Sequence, residues 1–148
     1  MDFDVKVREC ILKPVNEVFD AVVDHRKMSN YFATGASGPI QPGTVEWEFG
    51  DVGVKVSIDV LEVEENRKIV LESSALGPRI RTTIQFEPDG PDATVVTVTE
   101  SKFPLTDDGV KLALGQNAGW TQTLCGLKAY VQFGINLRTG LKQRLTES

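Results

Sequence analysis

In "VVTVTESKF", residues 95–103, Val96 and Val98 alternate with threonines, and Glu100 falls in the same phase as the valines. In a strand, that period-two spacing points the Glu100 carboxyl toward the apolar side. A carboxylate there orients a ligand or takes a proton, but burying it requires a partner or a shifted pKa. At the rim of a sheet, the same residue would simply reach solvent. The sequence leaves both readings open.

The other chemistry-bearing residues give less. His25 is the only histidine; it stands in "VVDHRK" between Asp24 and Arg26, where a solvated capping role at a helix junction outweighs acid–base work. Ser73 and Ser74 lack a GxSxG setting, and no serine–histidine–aspartate order is apparent. Cys10 and Cys125 are far apart with no CxxC, so they read as reduced thiols with no disulfide between them. One histidine and two distant cysteines do not reach metal-ligand spacing, and the acidic residues form no EF-hand pattern. The glycines of "GASGPIQPG" have neither the P-loop lysine nor GxGxxG spacing. No metal or other cofactor is expected. Trp47 and Trp120 could stack on an aromatic ligand, although core packing is the ordinary fate of a buried indole. Arg79 and Arg81 fall opposite Ile80 and Ile84, hence toward solvent, where an anion or partner surface is the alternative to simple hydration.

A different signal runs through "GQNAGWTQTLCGLKAYVQFGINLRTG", residues 115–140, which has helical spacing. At 100° per residue Gly115, Gly119 and Gly126 share one stripe, with Tyr130, Phe133 and Leu137 near it and Trp120, Leu124, Val131 and Ile135 beside it. Each interior glycine costs a helix about 1 kcal/mol relative to alanine. The stripe removes side-chain volume where this helix meets the rest of the protein. Either backbone or a ligand fills that volume; the expectation at Gly126 is a pocket.

These residues need elements to position them. At 148 residues, 41% hydrophobic and 25% charged, the chain suits one globular domain able to bury a core without metals or disulfides. A formal net charge of −5 with no basic cluster argues against a nucleic-acid partner. No apolar run approaches the roughly 18 residues of a membrane span, and "MDFDVKVREC" is acidic and alternating, unlike a signal peptide. A soluble cytoplasmic protein is the expectation.

"DFDVKVRECIL" alternates as a strand, with Phe3, Val5 and Val7 on one side. Pro14 opens a helix whose apolar face is Val15, Val18, Phe19 and Val22, and "HRKMSNYFATG" reads as a second short helix ended by Gly35. Five strands follow. "TVEWEF" turns Val45, Trp47 and Phe49 to one side, and "GVKVSIDVLEVEE" slips phase at Leu61, the mark of a bulge. "RKIVLESSA", "RIRTTIQFEP" and "ATVVTVTESKF" complete the set, joined by hairpin signals such as "EEN" and "DGPD". A long helix from about Leu112 to Arg138 ends the pattern. Strands with segregated helices indicate an α+β fold: a curved, six-stranded antiparallel sheet around a long C-terminal helix, with two short helices between the first two strands.

"ILKPVNEVFDAVVDHRKMSNYF", the "VLEVEENRKIVLE" hairpin, "VVTVTESKF" and "GWTQTLCGLKAYV" together resemble the START-like (SRPBCC, birch-pollen-allergen, helix-grip) superfamily. Within it they are similar to the branch named after the C-terminal domain of the heat-shock-protein ATPase activator, over roughly residues 3 to 138. The resemblance implies a hydrophobic cavity between sheet and long helix, and with it a bound hydrophobic small molecule. Its expected lining is Trp47, Ile58, Ile84, Phe86, Val98, Glu100, Trp120, Thr123, Gly126, Leu127 and Tyr130. Two alternatives come with the resemblance. One is a cyclase- or hydrolase-like enzyme using Glu100 or Tyr130. The other is a module that contacts a chaperone, with a role in the stress response. Binding is favoured over catalysis, because apolar residues are plentiful and convergent catalytic groups scarce.

Overall fold

A computed structural model describes residues 1–50 and 53–139. The chain starts as strand β1 (Asp2–Ile11), then runs through two short helices, α1 (Val15–Val23) and α2 (His25–Met28). Strands β2 (Gly35–Ala36), β3 (Gly43–Phe49), β4 (Val54–Glu64), β5 (Lys68–Ser73), β6 (Ile80–Pro88) and β7 (Thr94–Pro104) lead to helix α3 (Asp107–Phe133). The strands form one antiparallel sheet in the order β1-β7-β6-β5-β4-β3-β2. The expected six strands are present, and a two-residue strand β2 adds a seventh on the edge beside β3.

Alternation sets which face is inside. Val45 and Trp47 on β3, Ile80, Thr82, Ile84 and Phe86 on β6, and Val96, Val98 and Glu100 on β7 are all buried on the concave side. The phase slip in β4 is a bulge: pairing with β5 shifts between Val60 and Glu62, and Leu61 is left exposed. On the convex side, Arg79 bonds the Asp59 and Glu72 carboxylates, and Arg81 also bonds Glu72. These arginines are therefore committed to intramolecular ion pairs. Hydrogen bonds from Arg81 and Arg79 hold the Glu72 carboxyl below its ordinary pKa, and Arg79 does the same for Asp59.

α1 begins after Pro14, whose fixed φ suits a helix entrance, and buries Val18, Phe19, Ala21 and Val22. α2 is shorter than the sequence pattern suggests and ends at Met28, with Gly35 already in β2. Its cap is Asp24, whose Oδ1 accepts from the Arg26 backbone N–H at 2.9 Å. His25 does not cap: its ring is partly buried, and Nδ1 has no partner among the described residues.

α3 is 27 residues long, about 40 Å at 1.5 Å per residue. It starts at Asp107 rather than Leu112, because Thr106 caps it by accepting from the Gly109 N–H at 3.1 Å, with Asp107 and Asp108 in the first turn. It ends at Phe133 rather than Arg138. Gly134 takes the left-handed conformation at φ 68°, and its N–H bonds the Tyr130 carbonyl. Ile135 and Leu137 therefore lie beyond the helix, and with Phe133 they are exposed. Cys10 and Cys125 are both free. Among the described residues, no helix is long and apolar enough to cross a membrane.

Candidate functional site

The backbone of α3 approaches the sheet most closely along β1 and β7. The concave face of β3 to β6 therefore continues past the helix without being filled by it. A cavity of about 420 Å³ occupies that space.

One wall is aromatic. Phe32, in the turn after α2, is its centre: its ring meets Trp47 and Phe49 edge-on at 5.1 Å each and stacks on Trp120 at 5.5 Å. Val56, Ile58, Leu71 and Ile80 extend the apolar floor across β4, β5 and β6. Aromatic contacts of this geometry are favourable beyond area burial, so the wall is preorganised rather than collapsed around an empty centre.

The other end is polar. Glu100 lines the cavity and is 3% exposed, so it is a buried residue and not a rim residue. Thr82, its cross-strand neighbour on β6, donates its hydroxyl to Glu100 Oε2 at 2.6 Å. Gln116, one turn before Gly119 and Trp120 on α3, donates its side-chain N–H to Glu100 Oε1 at 2.8 Å. Both donors are neutral. Among the described residues the carboxyl has no cationic partner. The indole Nε1 of Trp47 is buried with no acceptor among the described residues.

The glycine stripe divides. A Cβ built on Gly119 meets nothing within 4 Å, and Gly119 lines the cavity. Gly115 is also open, and both glycines are exposed, but Gly115 does not border the cavity. Gly126 is different. It borders the cavity, yet a Cβ there would sit 3.3 Å from both the Tyr31 Cβ and the Tyr31 backbone oxygen. Tyr31 is fixed in turn, since its buried hydroxyl donates to the Ala21 carbonyl at 2.8 Å. Gly126 thus lines the expected pocket and also lets the Tyr31 backbone approach closely, whereas open space alone explains Gly119.

Of the residues expected to line a cavity, the structure brings Trp47, Ile58, Glu100, Trp120, Thr123 and Gly126 around this one. Ile84, Val98 and Leu127 lie outside its lining and border a separate small void of about 20 Å³ with Trp47, Trp120 and Thr123, while Phe86 lies in the core and meets Phe19 edge-on. Tyr130 also lies outside: it stacks on Tyr31 and faces a separate surface depression with Asn16 and Lys27. Sequence reasoning missed Phe32, Phe49, Thr82 and Gln116. Thr82 and Phe49 were readable as inward by alternation. Gln116 was not, because its value depends on how α3 is laid across β7.

Comparison with known proteins agrees with this architecture. The model of the family described as "Activator of Hsp90 ATPase homolog 1-like protein" matches residues 13–132. Among solved structures, the protein SSP2350 from Staphylococcus saprophyticus is 30% identical, with a TM-score of 0.80 over 92% of this chain and 96% of that one. DynU16, from the dynemicin biosynthetic locus, is 28% identical, with a TM-score of 0.80 over 92% of this chain and 49% of its own. The Aha1 dimer of Colwellia psychrerythraea shares the fold at 19% identity, with a TM-score of 0.75 over 88% of this chain and 97% of that one. No curated protein matches. The order of strands, the long helix and the family match lead to one conclusion: the chain belongs to the Activator of Hsp90 ATPase homolog 1-like protein family.

Proposed function

We propose that this protein is a binding module for a small, largely apolar molecule held between α3 and strands β3 to β6. The observation that carries this reading is the 420 Å³ cavity with its Phe32, Trp47, Phe49 and Trp120 wall. That volume lies within the roughly 300–1,000 Å³ typical of small-molecule sites, and apolar walls with a few placed polar groups are their usual chemistry. Glu100 then orients the ligand. Its two neighbours, Thr82 and Gln116, are neutral donors that hold the carboxyl in place, and neither is a second acid or base. A cyclase- or hydrolase-like reading therefore gains no second acid or base from these two residues. The chaperone reading would gain from an apolar convex sheet face, but that face carries the Asp59–Arg79–Glu72–Arg81 ion network. A reducing compartment such as the cytoplasm suits the two free thiols.

Native mass spectrometry of freshly purified protein, followed by titration with the neutral dye Nile red, tests the reading. Saturable one-to-one binding is expected, and Gly119→Leu, which projects into open space, should weaken it at least tenfold while the fold survives. Absence of saturable binding, or binding indifferent to Gly119→Leu, would refute the proposal.

A further inference from the structure

The binding reading leaves one feature unexplained: a carboxyl placed at the end of an apolar cavity with no cation paired to it among the described residues. Resting on that reading, we infer that the cavity takes a ligand with an aromatic-sized apolar body and a positively charged nitrogen, an amine-bearing amphiphile, whose ammonium meets Glu100. An ionised carboxylate offers about four lone-pair positions. Thr82 occupies one on Oε2 and Gln116 one on Oε1, so each oxygen retains a position for a further donor. The two neutral donors fix the carboxyl but bring it no positive charge, and burying a carboxylate is costly unless a counter-charge accompanies it. An ammonium supplies both the missing charge and the missing donors.

The remaining charged groups on the lining do not fill this role. Glu72 is held by Arg79 and Arg81 on the convex side. Arg138 lies in the turn after α3 and already has a partner of its own, and no ion pair joins it to Glu100 among the described residues. The aromatic wall adds to the preference, because ring faces attract cations that pass over them.

Three probes with the same ring separate the possibilities: 1-naphthylmethylamine, 1-naphthalenemethanol and 1-naphthoic acid, titrated calorimetrically into the intact protein near pH 7. The amine should bind about tenfold or more tighter than the alcohol, the margin of one charge-assisted hydrogen bond over a neutral one, and the acid should bind least. In Glu100→Gln, which keeps shape and removes charge, the preference for amine over alcohol should fall to about one. Alcohol or acid binding as tightly as the amine to the natural protein overturns the charge inference while leaving the cavity reading standing, and so does an amine preference that persists in Glu100→Gln. Failure of all three probes to bind overturns both. The ratio in the natural protein decides the matter even if the variant folds poorly.

Discussion

Gly119 and Gly126 share a helix face but have opposite surroundings, and alanine at each should read them out. Gly119→Ala meets open space, so helix propensity should stabilise the protein by up to about 1 kcal/mol in a thermal melt. Gly126→Ala presses on the Tyr31 backbone, and overpacking of about 1–3 kcal/mol should exceed that gain and lower the melting temperature. Tyr31 itself predicts an alkaline limit. Burial raises its phenol pKa well above the ordinary 10.0. Above pH 10 the unfolded chain gives up this proton while the folded chain keeps it, so stability is fully present below that pH and declines as pH rises. Denaturant melts between pH 8 and 11 should show the decline. Tyr31→Phe should abolish this residue's share of the slope, at a constant cost of about 1 kcal/mol for the lost bond to Ala21. At this scale the sequence was informative about direction and silent about company. Alternation turned Glu100 inward, because side-chain period follows from backbone geometry alone. Nothing in the spacing could pair it with Gln116, since that contact exists only once a helix has been laid across a sheet.

The long helix is an element whose ends matter as much as its face. Thr106→Ala should remove the cap on Gly109 and cost about 1 kcal/mol, measured in urea. Gly109→Ala should be far worse. A Cβ there would lie 1.9 Å from the Pro104 carbonyl oxygen, a backbone atom at the β7–α3 junction that cannot swing aside. Loss of about 3 kcal/mol or more, or failure to express as folded protein, is the expected result. The helix core was legible from periodicity, but its bounds were not. The apolar residues Ile135 and Leu137 continue the stripe in sequence, yet the left-handed Gly134 stops the helix before them. The Thr106 cap, conversely, was hidden in "PLTDDG", which reads equally well as a loop. Strand β4 shows the opposite case: its bulge at Leu61 disturbs a strict alternation and so could be read directly.

For the whole molecule, the fold class was readable because most of the strands alternate and both classes of element stay segregated along the chain. The cavity was expected from the resemblance, but its exact lining was not readable, because it depends on where α3 lies relative to β3 to β6, an offset that no local pattern encodes. Any molecule that fills it should stabilise the folded state as a whole. At a concentration about 100 times its Kd, the gain is about 2.7 kcal/mol, or on the order of 5–10 °C in Tm by scanning calorimetry. The pairing of β1 with β7, which sets Asp2 opposite Pro104, carries a consequence for biosynthesis. β1 is translated before every other described strand, and its one sheet neighbour among the described residues, β7, is translated after all of them, so its hydrogen-bonding edge must wait, open, until β7 emerges. The wall that closes the cavity, α3, emerges later still. A ribosome-bound chain halted before β7 should leave β1 open to protease, whereas one carrying β7 and α3 clear of the exit tunnel should protect it.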